Sequence, residues 1–128
     1  MKIEVIVSVG ELLDKISILR VKLKNIKDAN KLEEVKKELE VLTTRAISHS
    51  VYNEEFVSRL EKINGELWRI EDRIRILEKQ QLFGLEFVEV ARSVYVTNDE
   101  RFNIKNEINE HYGSFIREQK DYEDYTNG

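Results

Sequence analysis

The chain has 128 residues, 41% of them hydrophobic and 36% charged, with 21 basic residues against 25 acids and a formal charge of −4. This length allows one domain, residues 1–128, with a modest core, and the absence of cysteine excludes disulfides, thiolate metal sites and cysteine nucleophiles. Acids and bases are interspersed, so the basic footprint of a nucleic-acid binder and a polybasic lipid-binding cluster are both missing.

No proline, five glycines and abundant periodic Leu, Ile and Val point to long amphipathic helices rather than to disorder. MKIEVIVSVGE has too short an apolar run for a signal peptide, and no stretch approaches the length of a membrane span. The expectation is a soluble cytoplasmic protein without membrane contact.

Residues 2–7 alternate, Ile3, Val5 and Val7 on one side, which predicts a short N-terminal β-strand. No second strand is visible, so this one either pairs with the same segment of another subunit or lies extended over the helices. Ser8-Val9-Gly10-Glu11 forms a capping box. A first helix is predicted over about 9–26, with Leu12, Ile16, Leu19, Leu23 and Ile26 as its stripe. After a turn at Asp28 and Asn30, a second helix over about 31–46 carries Leu32, Val35, Leu39, Leu42 and Ala46. Pairing Ile16 with Leu42, Leu19 with Leu39 and Leu23 with Val35 mates the stripes as an antiparallel hairpin.

SHSVYN interrupts the pattern, and Asn53 caps a third helix expected to end near Gln81. Its stripe of Phe56, Leu60, Ile63, Leu67, Ile70, Ile74 and Leu77 keeps an unbroken four-three alternation, the signature of coiled-coil packing. A fourth helix starts near Leu85 and runs to about Tyr112, with Gly113 as C-cap. Residues 118–128 hold four acids and one lysine and are expected to fray. The fold class is all-α: two antiparallel helical hairpins of unequal length plus the N-terminal strand.

The second hairpin contains a misfit. Matching Ile70 with Tyr95 and Ile63 with Phe102 is satisfactory, but it sets Leu67 against Asn98, Leu60 against Lys105 and Phe56 against Asn109. An unpaired amide or ammonium buried there costs several kcal/mol. Either the helix breaks at Thr97, where TNDE has the form of another capping box, or the polar ladder turns towards another part of the chain or a second subunit, or it lines a small polar cavity. Lys105 snorkelling from a core edge is the ordinary form of the second case.

The same pairing gathers a candidate cluster: Asn64, Trp68, Glu71 and Arg75 from the third helix with Arg92, Asn98, Arg101 and Lys105 from the fourth. Glu11, Asp14 and Lys15 close it if the first helix packs alongside. Cations and amides in this number suit a carboxylate or phosphate, although Glu71 and Arg75 at (i, i+4) also serve as a simple helix-surface pair. No metal or cofactor is expected. Glu86-x-x-Glu89 and Glu107-x-x-Glu110 sit on a solvated face, and His49 and His111 lack partners at ligand spacing.

VSVGELLDKISIL, with ELWRIEDRIR and FVEVARSVYVTNDERFNIKNEIN, resembles a family of small bacterial and phage proteins known only as a domain of unknown function. The resemblance implies a complete small protein and supplies no activity. The residues favour a non-enzymatic helical module that forms a homodimer and binds another protein. The alternative is a cofactor-free helical bundle that binds or acts on an anionic small molecule.

Overall fold

The computed structural model describes residues 1–126. Four helices are the regular elements among them: α1 (Val9–Asn25), α2 (Ala29–Ser48), α3 (Glu54–Lys79) and α4 (Leu85–Tyr112). The starts follow local chemistry. Ser8 Oγ accepts from the Glu11 amide, Asp28 from the Asn30 and Lys31 amides, and Asn53 from the Phe56 amide. At the end of α4, Gly113 adopts φ 59° and ψ 48°, a left-handed cap that glycine reaches without a Cβ penalty.

The predicted N-terminal strand does not form. Residues 1–7 are exposed and, among the described residues, their backbone groups enter no ladder. A strand needs a partner edge, and the described residues supply none. The segment is tethered by Glu4 Oε1, 3.2 Å from Arg45 Nη2 at the end of α2. The last two residues of the tail expected over 118–128 lie outside the described residues.

Both hairpins are present, and they are joined in a way the stripes did not announce: α1 packs against all three other helices, whereas α2 packs against α1 alone. A helix buried on two sides cannot be served by one stripe. Leu12 is only half-buried, while Leu13, absent from the predicted stripe, is fully buried with Ile16. These two join Ala46 of α2, Phe56, Val57 and Leu60 of α3, and Ile108 of α4 in one apolar core. Burial of this kind contributes about 1.5–3 kcal/mol per large aliphatic side chain.

α4 runs unbroken through Thr97, which is buried within the helix. Its rotation differs from the simple pairing. Ile104 and Ile108 face the core, and the Tyr112 ring lies edge-on to Phe56. Tyr95 is 43% exposed and lies edge-on to Tyr125, and the Lys120 ammonium lies over the Phe102 ring. Of the three possibilities open for the polar ladder, the structure takes a continuous, rotated helix: Arg101, Lys105 and Asn109 meet α1, while Asn98 accepts from Arg101 of its own helix.

Candidate functional site

The α1–α4 seam is built from polar groups. α1 offers Gly10, Glu11 and Asp14 on one face, and α4 meets them in reverse order with Asn109, Lys105 and Arg101. Arg101 grips Asp14 through Nε, 3.1 Å from Oδ1, and through Nη2, 2.7 Å from Oδ2. Asn64 of α3 donates to Asp14 Oδ1 at 2.9 Å and to Ser17 Oγ at 2.8 Å. Lys105 Nζ lies 2.8 Å from Glu11 Oε2 and 2.9 Å from Glu118 Oε2 of the tail. Asp14 is fully buried and the Lys105 side chain 7% exposed, so this is an interior ion ladder rather than a surface pair.

The first turn of α1 is closed as tightly. Its orphan amides would otherwise need water or a ligand. The Gly10 amide donates to Asn109 Oδ1 at 2.6 Å, the Val9 amide to Ser114 Oγ at 3.1 Å, and the Glu11 amide to Ser8 Oγ at 3.0 Å. Gly10 is where the helices come closest, since a Cβ there would stand 2.6 Å from the Lys105 carbonyl oxygen and 2.9 Å from Asn109 Oδ1.

Electrostatics drive the ladder towards its charged forms. Burial alone would raise the Glu11 carboxyl, but the hydrogen bond from Lys105 and the charges of Lys105, Lys15 and Arg101 hold it below the usual glutamate range. Burial would likewise depress Lys105, yet its bonds to Glu11 and Glu118 and the charge of Asp14 hold it above the ordinary lysine value. Arg101 is raised in the same manner, chiefly by Asp14, against the effect of burial. On the surface, Arg20 and Tyr52 draw the Glu54 carboxyl down to about 2.

A lowered carboxyl contributes stability that is present above its unfolded pKa and lost as pH falls through the folded value. A raised lysine loses its contribution only on the alkaline side. Unfolding free energy is therefore expected to fall below about pH 4, where unfolded glutamates titrate. Urea denaturation of Glu11→Gln should show a smaller difference between pH 7 and pH 3 than the unmodified chain; an unchanged difference would detach Glu11 from the acid limb.

The candidate residues divide three ways. Asn64, Trp68, Glu71, Arg75, Asn98 and Arg101 line a single cleft of about 460 Å³, with Ile18 and Val21 of α1 along its side. Lys105 is not in it. With Asn98 and Arg101 it lines a second hollow, of about 290 Å³, which Glu118, Lys120 and Tyr122 of the tail help to enclose. Arg92 is exposed and lines neither. Glu71 and Arg75 form an exposed pair at 3.3 Å, and Lys15 stands 3.9 Å from Glu11 at the surface.

The acidic pairs on α4 have ordinary partners or solvent. Glu107 pairs with Arg59 and Glu86 with Arg73, while Glu89 and Glu110 are exposed. His49 is exposed, and His111 lies edge-on to Phe56. Sequence reasoning missed Ser17, Asn109 as an acceptor, and Glu118. Asn109 could have been found by matching α4 against α1 instead of α3, because Glu11 and Asp14 at (i, i+3) complement Lys105 and Arg101 at (i, i+4) in antiparallel order, whereas Ser17 meets Asn64 of α3. Glu118 carried no such signal.

These features define a class: an all-α protein of four helices whose central helix is locked to the last by a buried ion ladder beside an open polar cleft. The chain belongs to the Family of unknown function (DUF6165), whose model matches residues 1–127. No curated protein and no solved structure matches it. Among the described residues, no helix is long and apolar enough to cross a membrane.

Proposed function

We propose that the protein is a self-associating helical module that works as a homodimer and, in that form, presents a surface to another protein. One observation carries this reading. Between residues 65 and 96, where the α3/α4 hairpin extends past the core, Leu77 is the only buried side chain. Two helices alone cannot cover both flanks of an apolar seam. Leu67, Ile70, Ile74, Val90 and Val94 remain half-buried, and Ile76 and Val88 are 45% and 47% exposed. A second copy placed against this hairpin completes a four-helix packing with twofold symmetry, the commonest geometry of homo-oligomers. The unbroken heptad stripe of α3 suits close coiled-coil pairing there, and the exposed residues Ile3, Val5 and Ile6 offer a further apolar strip.

Glu11 and Lys105 are pushed away from neutrality, which suits a structural pair, whereas a general acid or base needs a pKa near the working pH. Sedimentation velocity is expected to give a dimer at micromolar concentration, and Ile76→Glu/Val88→Glu a monomer with unchanged far-ultraviolet circular dichroism. A monomeric unmodified chain across that range would remove this reading.

A second reading, ligand binding, is favoured by one separate observation: six residues gathered on sequence grounds line one cleft. Thermal-shift measurements with phosphate and small carboxylates test its anionic form.

A further inference from the structure

We propose that the face of α4 beneath the C-terminal tail is a docking groove for an extended peptide of another protein, and that the chain's own residues 115–126 fill it as a reversible plug. The peptide it fits carries an acid, a base two residues later and an aromatic ring five residues further on, as Glu118, Lys120 and Tyr125 do here. This rests on the partner-binding part of the proposed function and is separable from self-association.

The groove follows from the register of α4. Tyr95, Asp99, Phe102 and Lys105 recur at steps of four, three and three, so they share one side of the helix. That side presents, in order, an aromatic ring, an acid, a second ring and a cation. Gly113 reverses the chain at the end of α4. Ser114 is anchored there, its Oγ accepting from the Val9 amide and its own amide donating to the Asn109 carbonyl oxygen. From that anchor the tail runs back along the helix and answers it group by group. Glu118 Oε2 lies 2.9 Å from Lys105 Nζ, and Lys120 Nζ lies 2.7 Å from Asp99 Oδ1 and 5.1 Å from the Phe102 ring centre. The Tyr125 ring ends the run, edge-on to Tyr95 at 5.0 Å. Opposite charges at two points and a ring at a third fix both the direction and the register of an extended segment.

These contacts select a sequence without fastening it. Beyond Ser114, Lys120 is the only described residue of the tail that is even half-buried. The ion pairs that hold the tail are partly exposed and contribute little, while ordering each of its residues costs conformational entropy. Nor does the tail fill the face, because a hollow of about 290 Å³ remains between it and α4. Contacts that serve only stability are close-packed. A peptide with the same charges and a larger side chain over the hollow gains contacts that the tail lacks. The plug lowers the affinity of such a peptide by the fraction of time it covers the groove.

The test titrates the synthetic peptide SFIREQKDYEDYT, residues 114–126, into the isotope-labelled full chain and follows the backbone amides by NMR. A full-chain variant, Glu118→Gln/Lys120→Gln, loosens the plug and leaves the groove intact. It is expected to bind the peptide saturably and about fivefold or more tighter than the unmodified chain, with shifts centred on residues 95–105 and unchanged circular dichroism. Adding Asp99→Lys to that variant should abolish binding, and a peptide carrying Lys120→Glu should restore it. No saturable shift along α4 overturns the groove, as does equal binding of both peptides whichever residue stands at position 99. Sedimentation velocity keeps this apart from self-association. A dimer that fails to bind the peptide overturns the groove alone, and a monomer that binds it supports the groove and removes the dimer. A dimer that Glu118→Gln/Lys120→Gln converts to monomer places the tail contacts between two copies and overturns the plug.

Discussion

Replacing Asp14 with alanine is expected to lower the unfolding free energy by about 3–5 kcal/mol, the usual effect of breaking a buried ion pair by removing one partner. The cause lies in the groups left behind. Asp14 is fully buried and accepts from Arg101 and Asn64, and both lose their acceptor. The Arg101 side chain is 27% exposed, so water recovers part of its hydration and the expected value sits at the lower end of that range. Asn64 is buried and has only Ser17 left. The loss therefore measures stranded polar groups, not the net worth of the pair. A double variant, Asp14→Leu/Arg101→Met, removes donor and acceptor together and should regain most of the stability, since apolar replacements of buried ion pairs are often neutral or better. Urea denaturation followed by far-ultraviolet circular dichroism measures both. A single variant within about 1 kcal/mol of the unmodified chain would show that water relieves Arg101 at this seam.

Gly10→Ala should be the second large effect, and its sign is opposite to what helix propensity alone implies. Alanine favours a helix over glycine by about 1 kcal/mol in an open interior. At position 10 the new methyl would stand 2.6 Å from the Lys105 carbonyl oxygen, which belongs to the backbone of α4 and has no rotamer to change. It would also stand 2.9 Å from Asn109 Oδ1, which accepts from the Gly10 amide. Relief requires α1 and α4 to separate, lengthening that bond and loosening Lys105 against Glu11. Overpacking of this kind costs about 1–3 kcal/mol, to which the weakened ladder adds. A lower thermal midpoint is expected, and a chain as stable as the original would mean that the seam opens without cost. Gly65→Ala is the control: a Cβ there would meet only the Arg69 guanidinium at 3.7 Å, so the propensity gain should appear unopposed.

The two hairpins, their caps and the left-handed end of α4 were legible because each rests on local chemistry. Ser8, Asp28 and Asn53 satisfy amides two or three residues away, and a stripe repeating every 3.6 residues states its own direction of burial. The misfit at Asn98, Lys105 and Asn109 was legible too, as a polar ladder that could not lie against Leu67, Leu60 and Phe56. Most of the cleft followed from the same register, because neighbours on α3 and α4 share a face whatever else packs there.

Three features needed the tertiary structure. Leu13 and Val57 are fully buried although they lie beside the expected stripes, because α1 sits between α2 and the other hairpin and is buried on two sides. The strand over residues 2–7 had the right alternation but no partner, and alternation specifies faces, not a ladder. Above all, the partner of the polar ladder lay far along the chain: Lys105 meets Glu11, and Asn109 meets the backbone of Gly10. A helix sequence encodes which residues share a face. Which helix meets that face depends on the balance between burying apolar area and satisfying every charge, a balance struck over the whole packed molecule.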